Sequence, residues 1–273
     1  MKTLAGRRIS FTTILLGVGI GCYFLWNAVG VALRPQGIYS GIALLVLMLA
    51  LTLFNARKKL PFLPLIKASH WTQFHIYTGF LSVFLFLLHT GGSWPSGGLE
   101  TGLFVLFWIV SISGVAGLVI TRWLPGVMAR SGESLTFENI PKFETRLRRE
   151  VEEMVCQGEE EFGASAIGEL YINKLSDYFK PRFGPTLFMG RIGRFRVRAF
   201  QECDKVARYL DDDGLSILNA LRKKIDLKYN LDVQKAAQWM LRFWLFIHIP
   251  VTYGLIITSL VHAWIALAFT SSR

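Results

Sequence analysis

Apolar residues in this chain are gathered into five stretches, at 11–33, 37–54, 71–90, 103–120 and 239–269, divided by short polar turns and by one long polar segment. Each reaches the roughly 18 residues at which a membrane-spanning helix is expected. The pattern predicts an all-α membrane protein, a five-helix transmembrane bundle with a mainly helical insertion between helices four and five. It divides the chain into helices one to four (1–123), a polar domain (124–238) and helix five (239–273).

The first span carries Gly17, Gly19 and Gly21, a small-residue stripe expected to let another helix approach. Arg34, Pro35 and Gly37 predict a tight turn into span two, and Pro61 and Pro64 rule out regular helix before span three, where Phe62 and Leu63 are expected to dip inward. The Gly-rich loop 91–102 contains Trp94, an interface anchor, and is placed to cap the outer end of the bundle or to receive an external partner. Span four holds Ser111, Ser113, Gly114 and Gly117, residues suited to close packing, and is expected to end at Arg122, Trp123 and Pro125. In the polar segment, 143–157, 164–179, 199–210 and 215–225 read as helices, and the mixture of glycine, phenylalanine and arginine over 186–200 as extended chain. Ala236 and Ala237 lead into span five, where Pro250 is expected to kink the helix.

The net charge of +11 suggests nucleic acid only until its placement is considered. Lys2, Arg7 and Arg8 precede span one, Arg57, Lys58, Lys59 and Lys67 lie between spans two and three, and Arg122 and Arg130 follow span four, whereas 91–102 has neither lysine nor arginine. By the positive-inside rule the amino terminus and the polar domain are cytoplasmic and the carboxyl terminus is outside. A bacterial inner membrane is the expected location, lipid the surrounding partner, and nucleic acid is not a partner. The cysteines Cys22, Cys156 and Cys203 form no C-x-x-C pair, which argues against a zinc ribbon or covalent c-type haem.

Histidine carries the candidate chemistry. His75 and His89 lie in span three, His248 and His262 in span five, and both pairs are fourteen residues apart. Fourteen residues of α-helix fall about 40° short of four turns and rise about 21 Å, so each pair shares one face at two depths. Spans three and five run in the same direction, which matches His75 with His248 and His89 with His262. Positions about 21 Å apart on one helix cannot converge on a bare zinc or copper ion. A porphyrin standing between two helices uses one imidazole from each. The expected cofactors are therefore two b-type haems whose iron is ligated axially by His75 with His248 and by His89 with His262. Gly79, on the same face of span three, would leave room for a flat ring. His70 is the spare, an interfacial or propionate-contacting side chain, and Lys67 and Arg242 are candidates to neutralise propionates of the inner haem.

On these four histidines the chain resembles the membrane cytochromes b that hold two haems between two helices, a group including the respiratory cytochromes b and the ferric reductase and NADPH oxidase membrane domains. The resemblance covers spans three to five and leaves the polar segment unexplained. It implies low-spin, six-coordinate haems passing single electrons across the bilayer, and an electron-transfer subunit of an oxidoreductase complex. No flavin or nicotinamide domain follows the last span, so electrons are expected from a redox partner protein, such as a multihaem cytochrome c or an iron-sulfur protein, or from a quinol. Two alternatives stay open: a quinol-oxidising or quinone-reducing subunit with a quinone pocket, and a histidine-based proton or metal-ion transporter.

Overall fold

The computed structural model describes residues 4–31, 36–56, 68–130, 138–162, 165–181 and 189–270, and every regular element among them is helical. In chain order these are α1 (Leu4–Val31), α2 (Gln36–Ala56), α3 (Ala68–Thr90), α4 (Gly98–Arg130), α5 (Ile140–Phe162), α6 (Ser165–Leu170), a π-helical turn (Tyr171–Leu175), α7 (Ser176–Phe179), α8 (Met189–Val206), a 3-10 turn (Ala207–Tyr209) and α9 (Asp212–Thr270). Five of them, α1 to α4 and α9, are long and apolar enough to cross a membrane. The shortest, α2, has 21 residues; at about 1.5 Å per residue that reaches about 31 Å, the thickness of a hydrocarbon core.

The chain divides into two compact units, Met1–Leu118 with Trp244–Arg273, and Val119–Phe243. Helices α4 and α9 run from one into the other, so the segment borders expected at 123/124 and 238/239 fall inside continuous helices. Proline does not end α4: the helix passes through Pro125 and continues to Arg130. Likewise α9 is a single helix of 59 residues through Pro250. The pieces expected at 215–225 and 239–269 are thus parts of one rod, because nothing between them breaks the helical pattern.

In the first unit α3 packs against α1 and α2. Phe11 stacks on Tyr77 with ring centroids 5.4 Å apart, and Gln36 Nε2 donates to the Trp26 carbonyl at 2.9 Å, joining α2 to α1. The core combines Leu44 and Met48 of α2, Leu85 and Phe86 of α3, Phe107 of α4, and Leu255 and Ile256 of α9; Phe86 and Phe107 stack at 3.9 Å. Large apolar side chains such as Ile14, Phe24, Ile112, Phe246 and Trp264 point outward, the inverse of a water-soluble surface and the arrangement lipid requires. Gly17, Gly19 and Gly21 have open space where a Cβ would stand, so the expected close approach of another helix is not made within the described residues. At the end of α3, Gly91 and Gly92 take positive φ values of 60° and 70°. Their amides donate to the carbonyls of Leu88 and Leu87, a left-handed helix stop that glycine accommodates without strain.

The second unit has a core of its own. Leu147, Val151 and Val155, spaced by four on α5, meet Ile167, Leu175 and Phe179 of the α6–α7 segment, Ala199 and Cys203 of α8, and Leu218, Leu221 and Ile225 of α9. The extended chain expected over 186–200 is corrected from Met189 onward, which is helix α8. Ile192, Phe195, Ala199 and Cys203 recur at helical spacing and turn toward the cores of this unit, and this periodicity outweighs the weak helix preference of Gly190 and Gly193. The predicted turn at Arg34 and Pro35, the proline-broken connection with Pro61, Phe62, Leu63 and Pro64, and Lys67 lie outside the described residues.

Candidate functional site

Helices α3 and α9 place His75 within electrostatic reach of His248, and His89 and His262 on the wall of one cavity. His75 is the titratable neighbour that acts electrostatically on His248, and His262 is the neighbour that acts on His89. Between the two levels, α3 presents Gly79, Ser82 and Phe86, and α9 presents Thr252, Leu255 and Ser259. Phe86 and Leu255 are buried in the shared core. At Gly79 a Cβ would meet nothing within 4 Å, so the space beside α3 at this height is open.

His248 is held by α4 and by its own helix. Its Nδ1 lies 3.1 Å from Ser113 Oγ. Trp244, one turn earlier on α9, stacks against the imidazole at 5.3 Å with an interplanar angle of 27° and donates from Nε1 to the Ser113 carbonyl at 2.8 Å. The indole fits because residue 117 is glycine: a Cβ there would overlap its ring. Gly114 also leaves His248 Cε1 close to the helix, 3.9 Å from where a Cβ would stand. The small residues of span four are thus the seat of the His248–Trp244 pair. The opposing His75 lies against the Leu51 backbone of α2.

His89 has an analogous hydroxyl partner on α2, with Ser40 Oγ 3.1 Å from its Nδ1. The Ser40 hydroxyl also bonds the Gln36 carbonyl at 2.8 Å, so it links His89 to the first turn of α2. Gly41 completes the seat, because a Cβ there would come within 3.0 Å of His89 Cε1. His89 and His262 line one cavity of about 690 Å³, walled by Leu44, Met48, Phe86, Phe107 and Leu255, with Ser93, Trp94, Ser96 and Glu100 among its polar and loop-borne lining. The loop 91–97 therefore contributes to the wall of this cavity, and Trp94 packs on Phe104 with centroids 4.9 Å apart.

The remaining candidates are placed differently. His70 stands in the first turn of α3, and its buried Nδ1, like Trp71 Nε1, has no hydrogen-bond partner among the described residues. Arg242 is engaged at 2.6 Å by Glu138, whose carboxyl is held below its usual range mainly by that hydrogen bond. Among the described residues no group of three or more His, Cys, Asp or Glu side chains converges as a bare-metal site would require.

The donor set suits a haem better than a naked ion: imidazoles from two helices at two levels, facing apolar walls. The cavity lies within the roughly 300–1,000 Å³ usual for cofactor pockets, and Gly41 and Gly79 keep side chains out of the space next to His89 and His75. Sequence reasoning found the four imidazoles and the small residues of α4, but missed Ser40 and Ser113 as partners of Nδ1 and Gly41 as the seat of His89. No protein-family model, curated protein or solved structure matches this chain.

Proposed function

We propose that this chain is a membrane electron-transfer subunit holding two b-type haems between α3 and α9, one ligated by His75 and His248 and the other by His89 and His262. The observation that carries the reading is that His89 and His262 line one cavity and His75 lies within electrostatic reach of His248, all four on the same two helices. The haems supply one-electron chemistry, and the chain supplies ligands, orientation and insulation. Ser40 and Ser113 fix the tilt of two imidazoles through Nδ1, the kind of outer hydrogen bond that sets a ligand's tautomer and basicity. The aromatic and aliphatic core between the levels, Phe86, Phe107 and Leu255, keeps water from the path. The basic residues flanking the apolar stretches favour a cytoplasmic amino terminus and polar unit, with a bacterial inner membrane as the setting and a soluble or peripheral redox protein as partner. Glu100, a carboxylate lining the outer cavity, favours as second reading a quinol or quinone site there, with Glu100 as proton acceptor.

The test is spectroscopic. Purified full-length protein is expected to give reduced-minus-oxidised b-type bands and two haems per chain. His248→Ala and His89→Ala should each lose one haem, a different one in each case, and His70→Ala should keep both. A folded, colourless preparation after haem supplementation, or two unchanged haems in His248→Ala, overturns the assignment. Reduction of the bound haems by a quinol analogue, lost in Glu100→Gln with both haems retained, would select the second reading.

A further inference from the structure

The unit Val119–Phe243 is electrically polarised along its length. Its α9 portion begins at Asp212 and reaches Trp239, where the apolar stretch starts, about 40 Å later. At the far end lie Glu159 and Glu160 of α5 and Asp211, Asp212 and Asp213 at the start of α9, outnumbering the exposed Arg208 and the Lys205 that pairs with Glu202; Gly158 packs beside Ile217 and so ties these groups together. At the end where α4 and α9 enter their apolar stretches the exposed charges include Arg122, Lys142, Arg191 and Arg194, together with the paired Glu138 and Arg242. Helix α8 is antiparallel to α9: Ile192 clusters with Val233 and Ala236, Arg196 pairs with Asp226 at 2.7 Å, and Asp204 pairs with Arg222 at 2.5 Å. Val127 of α4 packs against the same cluster. The first turn of α8 is therefore level with residues four after Trp123 and three before Trp239. Arg191 and Arg194 are exposed there, about one turn from the start of the apolar zone on both spanning helices. Phe143, 42% exposed, and the stacked pair Trp239 and Phe243 add aromatic groups to the same rim, a composition that belongs at a lipid headgroup layer.

We propose that this rim binds anionic phospholipid, with Arg191 and Arg194 as the residues that meet the headgroup phosphates, and that it seats the polar unit on the membrane. Charge complementarity and position select the occupant: the rim is basic and aromatic and lies where headgroups are, whereas the acidic pole is kept away from a negatively charged surface.

Full-length protein in a neutral detergent, at low and at physiological salt, is titrated with phosphatidylglycerol or phosphatidylcholine, and bound lipid is counted by native mass spectrometry. Phosphatidylglycerol is expected to bind at least tenfold more tightly, with the preference shrinking as salt rises. The double variant Arg191→Gln, Arg194→Gln should lose about tenfold or more in phosphatidylglycerol affinity, from the usual worth of two juxtamembrane cations, while Arg191→Lys, Arg194→Lys retains it. Lys223→Gln, an exposed charge on α9 away from the rim, should bind as the parent does. Inorganic phosphate is expected not to compete at millimolar concentration. Equal binding of the two lipids, an unchanged affinity in the double glutamine variant with its helicity intact, an equal loss in Lys223→Gln, or competition by millimolar phosphate would overturn the proposal.

Discussion

A serine hydroxyl on Nδ1 of two of the four imidazoles turns a geometric pairing into a chemical expectation. Ser113 reaches His248 and Ser40 reaches His89, each at 3.1 Å. Removing such an outer partner typically lowers the affinity of a histidine-bound metal group by about 10–100-fold. Ser113→Ala is therefore expected to loosen the haem proposed for His75 and His248 by roughly that factor and leave the other proposed haem in place, and Ser40→Ala the converse; haem-transfer kinetics to apomyoglobin with each level's spectrum resolved would check it. Loss from the wrong level, or from neither, counts against the role given to the hydroxyls. The four histidines were legible in the sequence because an ionisable group is rare in an apolar span and their spacing repeats. The serines were not. A hydroxyl in a helix routinely bonds its own preceding turn, as Ser82 does to the Gly79 carbonyl at 2.8 Å and Thr252 to the His248 carbonyl at 2.7 Å. Only the three-dimensional arrival of an imidazole separates Ser40 from these.

Among the elements, the junction of α5 with α9 is the most constrained by charge. Lys228, Asp232 and Lys235 occupy one face of α9 at successive turns, with Glu144 of α5 opposite. Glu144 accepts from Lys228 at 3.0 Å and from Lys235 at 2.7 Å, and Lys228 also reaches Asp232 at 2.5 Å. Both acidic side chains and Lys228 are fully buried. Two cations and two anions balance, so the cluster persists in a poorly solvating interior only as a set. Glu144→Gln leaves two lysines to one carboxylate and is expected to destabilise this unit by about 3–5 kcal/mol, read by denaturant unfolding of the full chain in detergent; an unchanged midpoint would show the lysines to be solvated. Along the sequence these residues look like any charged helix face. Lys223 and Lys228 differ not in their neighbours but in whether α5 lies across them, which a single chain read in order does not reveal. The helical face of α8 was recoverable from the spacing of Ile192, Phe195, Ala199 and Cys203, and was obscured by the glycines beside them.

At the scale of the whole molecule the two units differ in what holds them against pH. Glu100 is the sole acidic residue outside Val119–Phe243, so the carboxylate part of the acid response belongs to the polar unit. There the hydrogen bonds from Lys224 and Arg146 hold the Glu150 carboxyl below its ordinary 4.5, and Arg148 does the same for Glu152. Lowered carboxyl values contribute stability that is present above about pH 4.5 and is lost as pH falls through the folded values. Burial acts on the alkaline side, pushing the Cys203 thiol up to about 11 and the Tyr171 phenol up to about 12. Both are neutral when folded, so their contribution is complete below the ordinary values of 9.0 and 10.0 and is lost as pH rises through the raised ones. The polar unit is thus expected to be most stable between about pH 5 and 9, with the apolar spans keeping their helicity beyond both limits. Cysteine reactivity gives the readout, because Cys156 is exposed and Cys203 is fully buried. At pH 8 a water-soluble maleimide should modify Cys156 and spare Cys203, since the thiolate is the nucleophile and burial withholds both it and the reagent. Raising the pH above 9 should bring Cys203 labelling in step with loss of near-ultraviolet dichroism from the polar unit, while intact-mass analysis keeps Cys22, within the apolar stretch of α1, unmodified. Equal labelling of Cys156 and Cys203 at pH 8 would mean that the helices closing over Cys203 are open in solution.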